Sequence, residues 1–222
     1  MTGVNHLPAL LLALILAPGA MRAQQARLTP ELLRELHFRE IGPAVTGGRI
    51  HDVEALPGDP ATIYVAAASG GLWKTINNGT TWTPIFQNQP VSTFGDVAIA
   101  PSNPDVIWAG TGEQNNRQST SWGNGVYRST DGGATWTHLG LDETRHIGRV
   151  LVHPANPDIA YVAALGNLWM ASPERGVFKT TDGGRTWAKV LYVDTLTGVV
   201  DLEMDPTDPN ALYAASYQRL RR

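Results

Sequence analysis

The 222-residue chain contains no cysteine. This excludes disulfide cross-links, thiolate metal sites and cysteine nucleophiles, and leaves stability to apolar packing. Charge is also scarce: 17 Lys and Arg stand against 20 Asp and Glu, a net charge of -3. Without a basic excess there is no electrostatic footprint for a phosphate backbone, so a nucleic-acid partner is excluded. The six histidines, at positions 6, 37, 51, 138, 146 and 153, form no close pair with an adjacent carboxylate, so neither a metal nor a cofactor is expected. Long apolar runs are missing as well. Leu7 to Ala17 is shorter than the roughly 20 residues a bilayer requires, so no transmembrane segment is expected. Followed by Pro18-Gly19 and small residues up to Ala23, it reads as a secretory signal peptide over residues 1–23, implying a secreted or periplasmic protein. Helical spacing is confined to Pro30 to Leu36, capped by Thr29, within a lead-in over residues 24–40.

What the chain does hold is a repeat. Three octets recur, Thr75 to Trp82 (TINNGTTW), Ser129 to Trp136 (STDGGATW) and Thr180 to Trp187 (TTDGGRTW), each after a Gly-aliphatic-aromatic-basic run. Four proline-terminated segments, Asp52 to Pro57, Asp96 to Pro101, Arg149 to Pro154 and Asp201 to Pro206, alternate in polarity as strands do. Each leads into an Asx-Pro turn and then a second strand carrying an aromatic residue. A third strand precedes each octet and a fourth leaves from its Trp. Four antiparallel strands in a period of roughly fifty residues describe a propeller blade. The fold class is therefore all-β, a β-propeller with about three and a half four-stranded blades over residues 41–222, roughly 48–90, 91–143, 144–196 and an incomplete 197–222. Because closure takes typically four to eight blades, further blades are expected from a longer protein or an associating partner.

The octet has a mechanical reading at each fixed position. Asn77, Asp131 and Asp182 accept backbone N–H groups of the turn, and Gly79, Gly133 and Gly184 take conformations that a Cβ penalises. Thr81, Thr135 and Thr186 return a hydrogen bond, while Trp82, Trp136 and Trp187 bury area between sheets. These octets resemble the Asp-boxes (BNR repeats) of sialidases, sortilins and xyloglucanase-type glycoside hydrolases. With the GGLWKT strand and the NPD-aliphatic-aromatic runs, they most resemble the N-terminal propeller of bacterial secreted sortilin-like proteins, over roughly residues 38 to 222. The resemblance places the octet acids on the blade periphery, as structural rather than catalytic residues. The Cys-rich module of sortilin receptors has no counterpart, and the catalytic Asp of the xyloglucanase type falls on Ala68.

Functional residues are then expected on the insertions between second and third strands, Thr111 to Asn124 and Leu165 to Arg175. The first carries Glu113, Asn115, Asn116, Arg117 and Trp122, a set suited to a carbohydrate or peptide ligand. Arg49 and Arg149, in Gly-Arg-Ile and Gly-Arg-Val, stand at the same point of their repeats, which favours a structural role over a sialidase-type arginine cluster. Glu143 and His146 precede Arg149 without a spacing that pairs them. The main reading is a binding or scaffold propeller for carbohydrate or protein ligands. The second is a glycoside hydrolase, which needs two carboxyl groups flanking the scissile bond. The sequence identifies no catalytic residue for it, and the remaining catalytic groups would lie in further blades.

Overall fold

The computed structural model describes residues 49–56 and 58–221. The signal peptide and the helix expected over residues 30–36 lie outside the described residues. Three four-stranded antiparallel sheets follow one another along the chain. The first contains β1 (Ile50–Leu56), β2 (Asp59–Ala67), β3 (Gly71–Thr75) and β4 (Thr83–Pro84). The second contains β5 (Phe94–Ile99), β6 (Ile107–Thr111), β7 (Val126–Ser129) and β8 (Thr137–His138), and the third β9 (Ile147–Val152), β10 (Ala160–Ala164), β11 (Gly176–Thr180) and β12 (Ala188–Leu191). A two-stranded sheet, β13 (Thr197–Met204) with β14 (Leu212–Gln218), completes the described array. Strand order within each sheet follows the chain, so each is a blade, and the fold is an incomplete propeller of three blades and a half.

The first strands of successive blades are neighbours: β1 packs on β5, β5 on β9 and β9 on β13. They line the inside of the ring. Crowding there explains glycines that strand propensity disfavours. A Cβ at Gly95 would run into the carbonyl of Ile147, and one at Gly148 into that of Val200. Second strands lie between sheets on both faces, so β6 and β10 are buried along their whole length and read as continuous apolar runs. The core is correspondingly divided into clusters between consecutive blades. Tyr64, Phe86 and Ile107 belong to the first, Trp108, Ile147 and Val162 to the second, and Tyr161, Val199 and Leu202 to the third.

Each octet closes the hairpin between third and fourth strands. In the second, the Ser129 hydroxyl donates to Asp131 Oδ1 (2.7 Å) and accepts the Gly133 N–H (2.8 Å). Asp131 accepts the Thr135 N–H at 2.8 Å and the Thr135 hydroxyl at 2.6 Å. Asp182 repeats the pattern with Thr186 at 3.0 and 2.7 Å, whereas Asn77 donates its amide to Thr81 at 2.9 Å. Gly133 and Gly184 have φ of 92° and 89°, the left-handed region that a side chain resists. These bonds, the one from the Thr hydroxyl first among them, lower the carboxyls of Asp131 and Asp182 to about 2. The indoles reach the preceding blade. Trp136 Nε1 donates to the Ile85 carbonyl and Trp187 Nε1 to the Leu139 carbonyl, both at 2.8 Å. Trp82 departs from the expected burial: it is 40% exposed and makes no such bond among the described residues.

Candidate functional site

In an antiparallel blade, the connection from second to third strand and the one from fourth strand to the next blade emerge at the same end. The start of β1, the end of β2 and the start of β3 meet there, as Ile50, Ala67 and Gly71 pair in register. Both insertions project from this end. The octets turn back at the other, away from it.

The 111–124 insertion reaches across the ring. Glu113 is 1% exposed, its carboxylate ion-paired with Arg49 from the approach to β1 and accepting the Ser121 N–H at 3.3 Å. The Asn115 side chain lies 3.4 Å from His51 Nε2 on β1, while the Asn115 carbonyl accepts from Arg219 Nη2 at 3.3 Å, just beyond β14. The Asn116 carbonyl accepts from Arg221 Nη1 at 2.9 Å. The insertion of the second blade thus bridges the first and the fourth. Arg117 is exposed, and its N–H is held by the Thr120 hydroxyl at 2.9 Å. Of the five residues expected from the sequence, Glu113 and Asn115 serve mainly as ties. Trp122 presents an open face, 49% exposed, with the Arg145 guanidinium 5.2 Å from its ring centre.

The second insertion carries Trp169 and Met170, 45% and 60% exposed. Its geometry is set by Arg175, fully buried, whose guanidinium donates to the carbonyls of Leu165, Asn167, Met170, Thr195 and Arg219. Trp169 was not singled out from the sequence, although an aromatic residue on the corresponding insertion was the available signal. A cleft of about 310 Å³ beside it is lined by Glu143, Arg145, Asn167 and Met170 among others.

The arginine equivalence expected from the sequence does not hold. Arg149 lies within β9 opposite Ala163, the position that Asp52 takes opposite Ala66 and Asp96 opposite Gly110. Arg49 precedes β1, and its carbonyl accepts the Ala68 N–H as the His146 carbonyl accepts that of Leu165. The counterpart of Arg49 is therefore His146. Arg149 thus stands three residues further along its first strand than Arg49 does along the first blade's, beyond a bulge that both strands share.

Arg149 belongs to an ionic seam along the first strands. Asp52 accepts the Val97 N–H (3.2 Å) and Asp96 the Val150 N–H (2.7 Å) of the following blade. Arg149 then bridges Asp96 (3.4 Å) and Asp201 (3.1 Å). Burial raises the carboxyls of Asp52 and Asp96 and, with the Asp52 charge beside it, lifts Glu54 to about 7. Glu54, Asp96, Arg149 and Glu203 line a cleft of about 330 Å³. Among the described residues no cluster of His, Asp or Glu is arranged to hold a metal ion, and no helix is long and apolar enough to cross a membrane.

No family profile matches the chain. It is similar to a xyloglucanase from Hypocrea jecorina (strain QM6a), 30% identical over 178 residues that cover 74% of this chain and 20% of that protein. Solved structures with the same fold include an ancestral GH74 enzyme (TM-score 0.61, 21% identity, 79% of this chain and 23% of that one). The GH74 xyloglucanase from Xanthomonas campestris is another (TM-score 0.56, 17% identity, 77% and 28%). The chain spans about a fifth of the length of the curated relatives it matches. These likenesses support the propeller and favour the glycoside-hydrolase reading over the binding or scaffold one. They do not carry the sortilin-like resemblance.

Proposed function

We propose that this chain supplies part of the polysaccharide-binding face of a glycoside hydrolase acting on a β-linked glucan of the xyloglucan class. The observation that carries the reading is the pair of insertions at one end of the ring, which expose Trp122 and Trp169 to solvent. A Trp exposed to this degree forgoes much of the burial that an indole gains, and exposed aromatic surface at a loop cluster marks a binding face. Its apolar face suits the C–H side of a pyranose ring, and Asn116, Arg117 and Asn167 offer polar partners around it. Likeness to the Hypocrea xyloglucanase supports this choice of substrate class.

Chemistry on the bound chain requires two carboxyl groups about 5 to 10 Å apart. Glu113 is unsuited to either role, since it is buried and neutralised by Arg49. Ala68, on which the resemblance places a catalytic carboxylate, is buried and hydrogen-bonded through its N–H to Arg49. The role of this portion is thus to hold and orient the glucan.

Affinity electrophoresis through gels containing xyloglucan tests the reading. Retardation is expected, weakened about tenfold by Trp122→Ala and by Trp169→Ala, a loss of about 1.4 kcal/mol each. Migration unaffected by the polysaccharide, or retardation that survives both substitutions, would overturn it. Reducing-sugar release from the same polymer tests hydrolysis, and Glu113→Gln should affect it only through thermal stability.

A further inference from the structure

Behind the bridging loop lie two buried basic side chains with no counter-ion among the described residues. His146 and Arg219 are both fully buried. Among the described residues, neither ring nitrogen of His146 has a hydrogen-bond partner, nor do Nε and Nη1 of Arg219. The two are joined by a continuous set of contacts. The His146 carbonyl accepts the Leu165 N–H at 2.9 Å, Leu165 receives the Arg175 guanidinium, and Arg175 Nη2 donates to the Arg219 carbonyl at 2.9 Å. Asn115 covers Arg219 from the insertion, taking one N–H of its Nη2.

Charge makes the arrangement unusual. Glu113 is occupied by Arg49 and does not answer the charge on Arg219, and Arg175 beside it carries a like charge. Burial lowers Arg219 to about 10, with Arg175 adding to the effect, and burial with the field of Arg219, Arg175 and Arg145 drives His146 to about 3. A buried guanidinium with two unpaired nitrogens and no neutralising partner among the described residues costs several kcal/mol. Its free N–H groups, with a histidine nearby, are charge-assisted donors of the kind that hold an oxyanion.

We infer that His146 and Arg219, roofed by Asn115, form a binding site for an oxyanion group, a carboxylate or phosphate. The anion accepts from a free N–H of Arg219 and from the protonated ring of His146. Two sources carry this chemistry, a free inorganic anion or the carboxylate of an acidic sugar. The site is independent of the glucan reading, which rests on Trp122 and Trp169.

Isothermal titration of the purified protein with inorganic phosphate, glucuronate and glucose, at ionic strength held constant with chloride, tests it. Saturable binding of phosphate, of glucuronate or of both supports the site, and the arm that binds identifies the source. Arg219→Gln should weaken that binding by at least about tenfold. Because this variant changes a buried charge, a second readout uses the unaltered protein: the His146 ring, followed by NMR, should titrate at higher pH when the anion is bound. Absence of saturable binding, glucose binding as well as glucuronate, or a His146 titration unmoved by the anion overturns the inference.

Discussion

Trp136→Ala and Trp82→Ala remove the same side chain from the same octet position, yet should differ several-fold in cost. Trp136 donates to the Ile85 carbonyl at 2.8 Å and packs edge-on against Phe86 at 5.2 Å, within the cluster holding Tyr64 and Tyr127. Its loss removes one inter-blade hydrogen bond, about 1 kcal/mol, and strands a carbonyl. It also removes an aromatic contact of about 1 kcal/mol and partly buried indole area. The total comes to about 3 kcal/mol, at the low end for truncating a buried aromatic because Trp136 is not wholly enclosed. Trp82, 40% exposed and lacking that bond, should cost under about 1 kcal/mol. At about 2 to 4 °C per kcal/mol for a chain of this size, thermal melts should place Trp136→Ala about 6 to 12 °C below the unaltered protein and Trp82→Ala within about 4 °C of it. Equal losses for the two variants would refute the view that the indole acts by reaching the preceding blade.

Arg175→Met should destabilise by more than about 3 kcal/mol in urea melts, since it strands several carbonyls, and should remove amide-exchange protection from residues 165–175. Glu54, raised to about 7, contributes stability that is fully present below its unfolded value near 4.5 and is lost as pH rises through 7. Glu54→Gln should therefore be more stable than the unaltered protein at pH 8, with the difference closing by about pH 4.5. His146 is depressed to about 3, so its contribution is present above 6.5 and is lost as pH falls from 6.5 through 3. His146→Gln should flatten the pH dependence of stability over that window. Asp131 and Asp182, lowered from 3.8 to about 2, act in the same direction over a more acidic range, and Asp131→Asn should reduce the loss of stability between pH 4 and 2.

The fold was legible because its determinants are local. An octet whose Asp, Gly and Thr bond within five residues of one another, and an Asx-Pro turn at each first hairpin, leave a fixed mark in the sequence. Much of the site was not legible, for the converse reason. The partner of Glu113 is Arg49, that of Asn115 is Arg219 more than a hundred residues away, and neither spacing has a periodicity to betray it. Arg49 and Arg149 misled because their dipeptide contexts are alike, whereas only the strand register shows that Arg49 matches His146, three residues before Arg149. Trp122 stood out from the sequence as the aromatic of a polar loop. Trp169, on a less polar segment, did not.

The indole ties point one way along the chain. Trp136 and Trp187 each find a carbonyl made 51 and 48 residues earlier. During synthesis, the anchor for each new hairpin has therefore already left the ribosome when the hairpin appears, and domains and repeats tend to fold from the N-terminal side first. Blades can then be added in order, each closing on a finished neighbour. A defect in an early blade is passed to every later one, while a defect in a late blade leaves its predecessors intact.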